Sequence, residues 1–383
     1  MDCVPRWTVW LCGVAAPPPG AHMSAVEPEG ILRDPVVSGE GAVSAVGMGE
    51  EYLYAGYQTG GVAAWSLETR RVAWRCDKAH EGGVIGLCVC DELVFSHGRD
   101  GWVVCWTWSS RGGNAVEMEE AWRVEMGTIN FCGVSAGVMA GGLVMVAAGG
   151  DDPGSVVVWK RRRQASEGEG GGVKMVLGGE EEEEDKLGMC MCVAVSTGAG
   201  YPVVFGGYEN GSVVGWDPSG GRKLVQVGLF PWGTEDPIMA MDVVWMEEGR
   251  EWRGVAGCAT PQIGAFRVWE SEGSGVEDPW GGGTSAPAAL GGKVGKTRSL
   301  EESGEVGVSA VAIRGADGKI VAVGGVDGSV LIFSVKKLKP LAGLEYHTER
   351  IPTLAFGPRC GGGKLASADA ATRIAIWPIY PTL

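Results

Sequence analysis

One strand pattern recurs seven times along this chain of 383 residues. Each unit has an apolar leading strand, a second strand that ends in small residues, a polar or glycine-containing turn, and a third strand that ends in an aromatic residue. The leading strands cover residues 43–46, 84–89, 129–134, 189–195, 238–244, 308–313 and 351–356. The second and third strands cover residues 52–65, 93–106, 144–159, 203–216, 254–269, 320–333 and 364–377. Apolar residues at period two are typical of half-buried strands that pack face to face.

The length of the repeat indicates the architecture. We set aside a disordered leader at 1–27 and two inserted loops at 161–188 and 271–305. About 42 residues then remain for each unit, inside the roughly 40–45-residue period of WD-type propeller blades. The sequence therefore predicts an all-β fold, a seven-bladed WD-repeat β-propeller over residues 28–383. An unclosed ring would expose two strand edges, so we expect the N-terminal strand Ile31-Leu32-Arg33 to close the last blade.

The second unit carries four residue types that form a buried structural tetrad in WD repeats. His80 precedes the first strand, Ser96 ends the second, Asp100 lies in the turn and Trp106 ends the third. A hydrogen-bond chain from the indole N–H through Ser and His to Asp would satisfy polar groups that are costly to bury alone. The last unit keeps three of these types but has alanine at the turn position: His347, Ser367, Trp377 and Ala371.

No pattern predicts a catalytic, cofactor or metal site. Ser96, His80 and Asp100 resemble a catalytic triad, but their positions explain them as the tetrad. The pairs Cys88/Cys90 and Cys190/Cys192 share a strand face, yet no histidine spacing completes a zinc site, so we interpret them as buried thiols. Residues 291–297, GGKVGKT, resemble a phosphate-binding loop, but Leu290 replaces the first glycine. We expect a flexible loop there and a mobile loop throughout 271–305.

Net charge constrains the partners. The chain carries a formal charge of −15, which disfavours direct binding of nucleic acid or anionic membranes and favours basic protein surfaces. The eleven cysteines follow no disulfide spacing and indicate an intracellular protein. Residues 160–163, Lys-Arg-Arg-Arg, resemble a short nuclear-import signal on an exposed loop, although a merely solvated loop fits equally. The acidic run at 180–185 is either solvated or a contact for a basic partner.

Turns between second and third strands form one rim of a propeller. Five polar or aromatic residues of these turns are candidates for a partner-binding rim: Tyr57, Gln58, Arg99, Tyr208 and Glu209. Exposed tyrosine and arginine are favoured at interface hot spots. The alternative for any one of them is a solvated surface residue without a partner-binding role.

Several segments resemble one particular family, in the same order as in that family. These are EGILRDP (29–35), GYQTGGVAAWSLETRR (56–71), SHGRDGWVVCW (96–106), INFCGV (129–134), KLGMCMCVAV (186–195), GYENGSVVGWD (207–217), KKLKPLAGLEYHTERIPTLAF (336–356) and RIAIWPIYP (373–381). The family comprises the ASTRA-associated WD-repeat proteins of fungi and the animal guanine-nucleotide-binding-protein β-subunit-like proteins. The leader and the Glu-rich and Gly-rich insertions depart from it.

The resemblance implies a nuclear scaffold, with the cytoplasm as a second compartment. It implies a monomer within a hetero-complex whose partners are the ASTRA subunits and the Tel2–Tti1–Tti2 co-chaperone. That assembly is tied to chromatin regulation and to the maturation of phosphatidylinositol-3-kinase-related kinases. Three alternatives stay open: a propeller reader or substrate receptor for modified peptides, an enzyme on a propeller scaffold, and a true G-protein β subunit. The last requires an N-terminal heptad helix, and residues 1–27 are Pro-rich.

Overall fold

In the computed structural model most of the described residues form β-sheet. The described residues are 27–33, 41–110, 116–127, 132–163, 172–179, 187–230, 236–270, 276–277, 284–285, 289–300, 307–358 and 363–379. These ranges contain seven four-stranded sheets, which confirms the predicted seven-bladed propeller. Nearly all of the leader, the acidic run at 180–185 and most of 271–288 lie outside them. Within them, no helix has the length and apolar character needed to span a bilayer.

The first four blades follow one another along the chain, each with its strands in sequence order. A short N-terminal strand, β1 (Gly30–Arg33), precedes them. Blade 1 consists of β2 (Val43–Met48), β3 (Tyr52–Tyr57), β4 (Val62–Ser66) and β5 (Val72–Cys76). Blade 2 consists of β6 (Val84–Cys90), β7 (Leu93–Gly98), β8 (Trp102–Ser110) and β9 (Val116–Glu125). Blade 3 consists of β10 (Ser135–Val138), β11 (Leu143–Gly149), β12 (Val156–Arg162) and β13 (Val173–Leu177). Blade 4 consists of β14 (Cys190–Ser196), β15 (Val203–Tyr208), β16 (Ser212–Trp216) and β17 (Lys223–Gly228).

The last three blades include a small hairpin and a 3₁₀ turn. Blade 5 consists of β18 (Ile238–Met246), β19 (Glu251–Cys258), β20 (Gln262–Glu270) and β23 (Leu290–Ser299), with the 3₁₀ turn at Glu247–Gly249 and a hairpin of β21 (Val276–Glu277) and β22 (Thr284–Ser285). Blade 6 consists of β24 (Val308–Ile313), β25 (Ile320–Gly325), β26 (Val330–Ser334) and β27 (Pro340–Leu344). Blade 7 consists of β28 (Thr353–Phe356), β29 (Lys364–Ala368) and β30 (Arg373–Pro378), and takes its fourth strand from β1.

The N-terminal strand closes the ring as predicted. β1 pairs antiparallel with β30, and Ile31 lies opposite Ala375 while Leu32 lies opposite Ile374. Leu32 is 2% exposed and packs in the core between blades 7 and 1. Pairing with β1 covers the outer edge of β30, which would otherwise be an unpaired strand edge.

The hydrophobic core is divided into seven clusters, one at each junction between neighbouring blades. This division follows from strand geometry, because successive side chains point to opposite faces of a sheet. In β3, for example, Leu53 and Ala55 face blade 7 whereas Tyr54 faces blade 2. Each blade is therefore apolar on both faces, which explains why the second and third strands are almost continuously hydrophobic.

Side chains of the first strands also link every blade to the next. In each link a hydroxyl, thiol or carboxylate of one blade hydrogen-bonds to the main chain of its neighbour. The links are Ser44–Val84, Cys88–Ala136, Ser135–Val195, Cys192–Ile238, Asp242–Ile313, Ser309–Ile351 and Thr353–Val46. They connect the innermost strands, which have no main-chain ladder with the neighbouring blade.

Each blade has an upper and a lower end. The turn between the second and third strands lies at the upper rim, and the turns between the first and second and between the third and fourth strands lie at the lower rim. This arrangement follows from the antiparallel order of strands in every blade. The candidate partner-binding residues belong to upper-rim turns.

The expectation of two inserted loops needs correction. Residues 161–188 include β13, which pairs with β12, and residues 271–305 include β23, which pairs with β20. The stretch GGKVGKT at 291–297, expected to be a flexible loop, lies within β23. Outer strands are covered on one edge only, and most residues of β23 are exposed, so the composition of β23 resembles that of a loop.

Two further expectations were wrong in detail. Residues 160–162 of the basic cluster lie in β12 and not in a loop, and Arg163 donates to Glu92 Oε2 at 2.7 Å. The first strand of blade 3 is Ser135–Val138 and not 129–134. Its sequence, Ser-Ala-Gly-Val, lacks the β-branched run that signals a strand, and packing between blades 2 and 4 sets its conformation instead.

Candidate functional site

The four tetrad side chains of blade 2 form one hydrogen-bonded chain. Trp106 Nε1 donates to Ser96 Oγ at 2.9 Å, and Ser96 Oγ lies 2.8 Å from His80 Nε2. His80 Nδ1 lies 3.2 Å from Asp100 Oδ1. A carboxylate only accepts, which places the imidazole proton on Nδ1 and leaves Nε2 to accept from the serine hydroxyl. Asp100 Oδ2 also accepts from Glu81 N at 2.9 Å, so the chain ties the loop before β6 to the turn after β7.

The surroundings of these groups favour a structural role. Ser96 is 0% exposed and His80 is 5% exposed. Burial lowers the pKa of His80, and the neighbouring Asp100 carboxylate opposes that effect only in part. The serine oxygen is already engaged by the indole and the imidazole, on the face of β7 that packs toward blade 1. The arrangement orders the upper end of the blade and presents no open nucleophile.

Blade 7 carries a complete tetrad with its acid at a different position. Trp377 Nε1 donates to Ser367 Oγ at 2.8 Å, and His347 Nε2 lies 2.7 Å from the same oxygen. His347 Nδ1 lies 2.9 Å from Asp369 Oδ2. The expectation that this blade lacks its acid, based on Ala371, is therefore wrong. Asp369 follows the serine by two residues, whereas Asp100 follows Ser96 by four.

The residue two places after the serine explains both arrangements. In blade 2 it is Gly98, where a Cβ atom would lie 2.5 Å from both His80 Nδ1 and Asp100 Oδ1. The missing side chain lets an acid from the turn reach the imidazole. In blade 7 that place is held by Asp369 itself, which is 0% exposed and also accepts from Arg373 Nε at 2.7 Å.

Two of the five candidate rim residues are buried, which corrects the expected surface. Tyr208 is 0% exposed, and its hydroxyl accepts from Trp216 Nε1 at 2.9 Å. Gly206 occupies the tetrad serine position, and a Cβ there would lie 2.8 Å from the Tyr208 ring. The tyrosine thus fills the space of the Ser–His pair. Tyr57 of blade 1 is 2% exposed, and burial raises its pKa to about 12.

A spacing in the sequence identifies these buried tyrosines. Tyr57 precedes Trp65 by eight residues, and Tyr208 precedes Trp216 by eight. Eight residues is also the separation of Asp369 from Trp377. A tyrosine at this position of a blade therefore points toward the indole inside the sheet. Because the tyrosine lies beside a turn, the sequence alone predicts that it is exposed.

The other three candidate residues lie on the surface. Gln58, Arg99 and Glu209 are exposed in the upper-rim turns of blades 1, 2 and 4. Main-chain bonds hold these turns in place: Gln58 N donates to Ala42 O at 2.9 Å, and Arg99 N donates to Gly83 O at 2.9 Å. The carboxylate of Glu209 accepts from Met189 N at 3.1 Å. These side chains therefore stand on a rigid rim.

The paired thiols lie in apolar surroundings. Burial raises the pKa of Cys88 to about 12 and that of Cys90 to about 11. Burial also raises the pKa of Cys192 well above its usual range. Metal binding and nucleophilic attack both require the thiolate, which these environments disfavour. In the part of the chain that the structure describes, no three His, Cys, Asp or Glu side chains converge on one point.

A ring of seven four-stranded blades, with indole-anchored tetrads in blades 2 and 7, defines a WD-repeat β-propeller. The fold matches the crystal structure of the β-propeller domain of Cps50 (Swd1) from Myceliophteria thermophila, with a TM-score of 0.66 and 15% identity over 92% of this chain and 99% of that one. That likeness concerns the fold alone. No family model matches the chain.

Two named proteins are similar in sequence. Guanine nucleotide-binding protein subunit beta-like protein 1 of Mus musculus is 27% identical over 335 residues, which is 87% of this chain and 89% of the mouse protein. ASTRA-associated protein 1 of Schizosaccharomyces pombe is 43% identical over 65 residues, which is 17% of each protein. These similarities confirm the predicted resemblance to the ASTRA-associated WD-repeat proteins.

Proposed function

We propose that the chain is a non-catalytic scaffold that binds protein partners as a subunit of the ASTRA complex. The observation that carries the proposal is the similarity to the two named proteins, which extends over 87% of the chain in one and reaches 43% identity in the other. A rigid propeller with buried polar chains suits such a role, because it presents fixed turns to partners. The Tel2–Tti1–Tti2 co-chaperone belongs to the proposed partners. Chromatin regulation and maturation of phosphatidylinositol-3-kinase-related kinases are the proposed processes.

The upper rim is the proposed contact surface. Gln58, Arg99 and Glu209 are exposed there in turns fixed by main-chain hydrogen bonds. An ordered surface loses little conformational entropy on binding, so it supports higher affinity than a flexible one. Tyr57 and Tyr208 are excluded from this surface because they are buried.

The channel offers less support for a reader of modified peptides. Such a reader is expected to carry an aromatic cage or an acidic funnel at the central channel, and a cage requires converging aromatic rings. In the described first strands the aromatic residues are Trp245 and Phe356. Trp245 packs against Trp252 with ring centroids 4.6 Å apart, and Phe356 packs against the core between blades 6 and 7. Both rings belong to blade packing.

Affinity purification of the tagged full-length chain followed by mass spectrometry tests the scaffold proposal. We expect ASTRA subunits and the Tel2–Tti1–Tti2 proteins with the wild-type chain, and their loss with the double variant Arg99→Glu/Glu209→Arg. The control Lys293→Glu/Glu248→Arg changes the same charges at exposed positions away from the upper rim. Absence of these proteins from the wild-type sample would contradict the proposal. Equal loss in both variants would contradict the rim assignment. Imaging of the tagged chain tests the proposed nuclear location.

A further inference from the structure

A cleft of about 400 Å³ opens on the lower rim where blade 7 meets blade 1. Three turns form its walls, and a main-chain hydrogen bond fixes each. Gly49 N donates to Tyr52 O at 2.8 Å, Leu67 N donates to Glu51 O at 2.9 Å, and Gly357 N donates to Lys364 O at 2.9 Å. These bonds hold Gly49, Leu67 and Gly357 at the junction of the two blades.

The cleft has an apolar floor. Met48 is 5% exposed and packs in the core between blades 7 and 1. Leu67 is half-buried against the same core, and Pro358 is also half-buried. A hydrocarbon stem can bury its methylene groups on such a floor.

The mouth of the cleft is acidic. Glu50, Glu51 and Glu68 line it, and all three are exposed. Within the described ranges none of these carboxylates accepts a hydrogen bond or pairs with a cation, in contrast to Glu29 nearby. Three carboxylates beside one cavity create a negative potential that attracts a cation.

Lys364, which lines the cleft, pairs with Glu29, a carboxylate that does not line it. Lys364 Nζ lies 3.4 Å from Glu29 Oε1, and Arg70 also lies near that carboxylate, at 3.7 Å. Lys364 therefore does not neutralise the carboxylates at the mouth. An apolar floor beneath unpaired carboxylates matches one kind of side chain, a long aliphatic stem that ends in a positive charge.

We propose that this cleft binds an extended lysine- or arginine-containing segment of a protein partner. The aliphatic stem packs on Leu67 and Pro358, with the cation near the carboxylates of Glu50, Glu51 and Glu68. The net charge of −15 favours the approach of a basic segment. The site lies on the lower rim, so it is separate from the upper-rim contacts of the scaffold proposal and can fail without affecting them.

Fluorescence anisotropy with the full-length chain tests the cleft. The probe is a fluorescein-labelled peptide of sequence Gly-Ser-Arg-Lys-Arg-Ser-Gly. We expect the triple variant Glu50→Gln/Glu51→Gln/Glu68→Gln to weaken binding about tenfold, as expected for three partly exposed ion pairs. The control variant Glu248→Gln/Glu345→Gln/Glu349→Gln removes the same charge from exposed positions outside the cleft, and we expect it to change affinity less than about twofold because distant charges are screened.

A second probe separates the cleft from general attraction to an acidic protein. Replacing the lysine and arginines of the peptide by diaminopropionate keeps the charge and removes the stem. The short-stem peptide should bind the wild-type chain more weakly than the parent peptide, and the two peptides should bind the triple variant equally. Equal weakening by the two triple variants would overturn the proposal. Self-association of the chain that the cleft variant abolishes would also overturn it, by identifying a second copy as the occupant.

Discussion

Blades 2 and 4 satisfy the same buried indole with different side chains. In blade 2 the Trp106 N–H donates to Ser96, at the start of a chain that ends on a carboxylate. In blade 4 the Trp216 N–H donates to the hydroxyl of Tyr208. Both indoles are at most 5% exposed. Each indole N–H gives up its hydrogen bond to water on folding and therefore needs an acceptor within the protein.

The difference separates two tasks that the tetrad performs together. One task is to provide an acceptor for the indole, which Tyr208 performs alone. The other is to tie the loop before the first strand to the upper turn, which requires the imidazole and the carboxylate. Blades 2 and 7 perform both tasks. Loss of a tetrad should therefore cost more stability than loss of the tyrosine hydroxyl.

The largest expected effect is in blade 7. Asp369→Ala leaves the buried His347 without its acceptor and removes the ion pair with Arg373. We expect the free energy of unfolding to fall by about 3 kcal/mol, because the remaining partner stays buried without a group to pair with. Urea denaturation followed by tryptophan fluorescence measures it. Glu349→Ala, at an exposed position in the loop before blade 7, should be nearly neutral, and a similar loss in both variants would contradict the tetrad.

A smaller effect is expected at the serine of blade 2. Ser96→Ala leaves both the indole N–H of Trp106 and Nε2 of His80 without a partner. We expect a loss of about 2 kcal/mol, the cost of unpaired buried polar groups. In a double-mutant cycle with Trp106→Phe, the two losses should not add, because both changes break one interaction. Additive losses would show that the serine and the indole act independently.

Tyr208→Phe in blade 4 gives the matching measurement. The ring stays in place and the acceptor of Trp216 is removed. We expect a loss of about 1 kcal/mol, the net value of one hydrogen bond. A loss as large as that of Ser96→Ala in the same urea assay would remove the distinction between the two blades.

The blades should also differ in their response to acid. Burial lowers the pKa of His80, and it lowers the pKa of His97 in the same blade from 6.5 to about 4. Below pH 6.5 the unfolded chain binds protons that the folded blade excludes, so stability falls as pH drops from about 6.5 to about 4. Hydrogen exchange at pH 5 and 7, corrected for intrinsic rates, should show local loss of protection in blade 2 but not in blade 4. His97→Phe should reduce that loss, and an unchanged profile would contradict this origin.

Much of the fold could be predicted because the blades repeat a pattern with a clear period. The aromatic residue at the end of a third strand marks a blade even where the tetrad is degenerate, as at Trp216. The closing strand could be predicted because an unclosed ring would leave two strand edges exposed. The apolar Leu32 of that strand is buried in the structure. The residues that escaped prediction lie where tertiary contacts decide the outcome.

Those residues fall into two groups. β13 and β23 are outer strands that pair along one edge, and β23 has the Gly- and Lys-rich composition of a loop. Asp369 and Tyr208 lie beside turns, where polar and aromatic residues usually face solvent, yet both point toward the core of their blade. In each case the position within the blade, and not the local composition, determines the structure.

The central claim is a ring of seven blades closed by β1. Hydrogen exchange of β30 (Arg373–Pro378) in two truncated chains tests it most directly. A chain that begins after Val26 retains β1, and a chain that begins after Arg33 lacks it. We expect fast exchange in β30 and a lower melting temperature only in the shorter chain, because β30 then becomes an open edge without the Leu32 contact. Equal protection of β30 in both chains would contradict closure by the N-terminal strand.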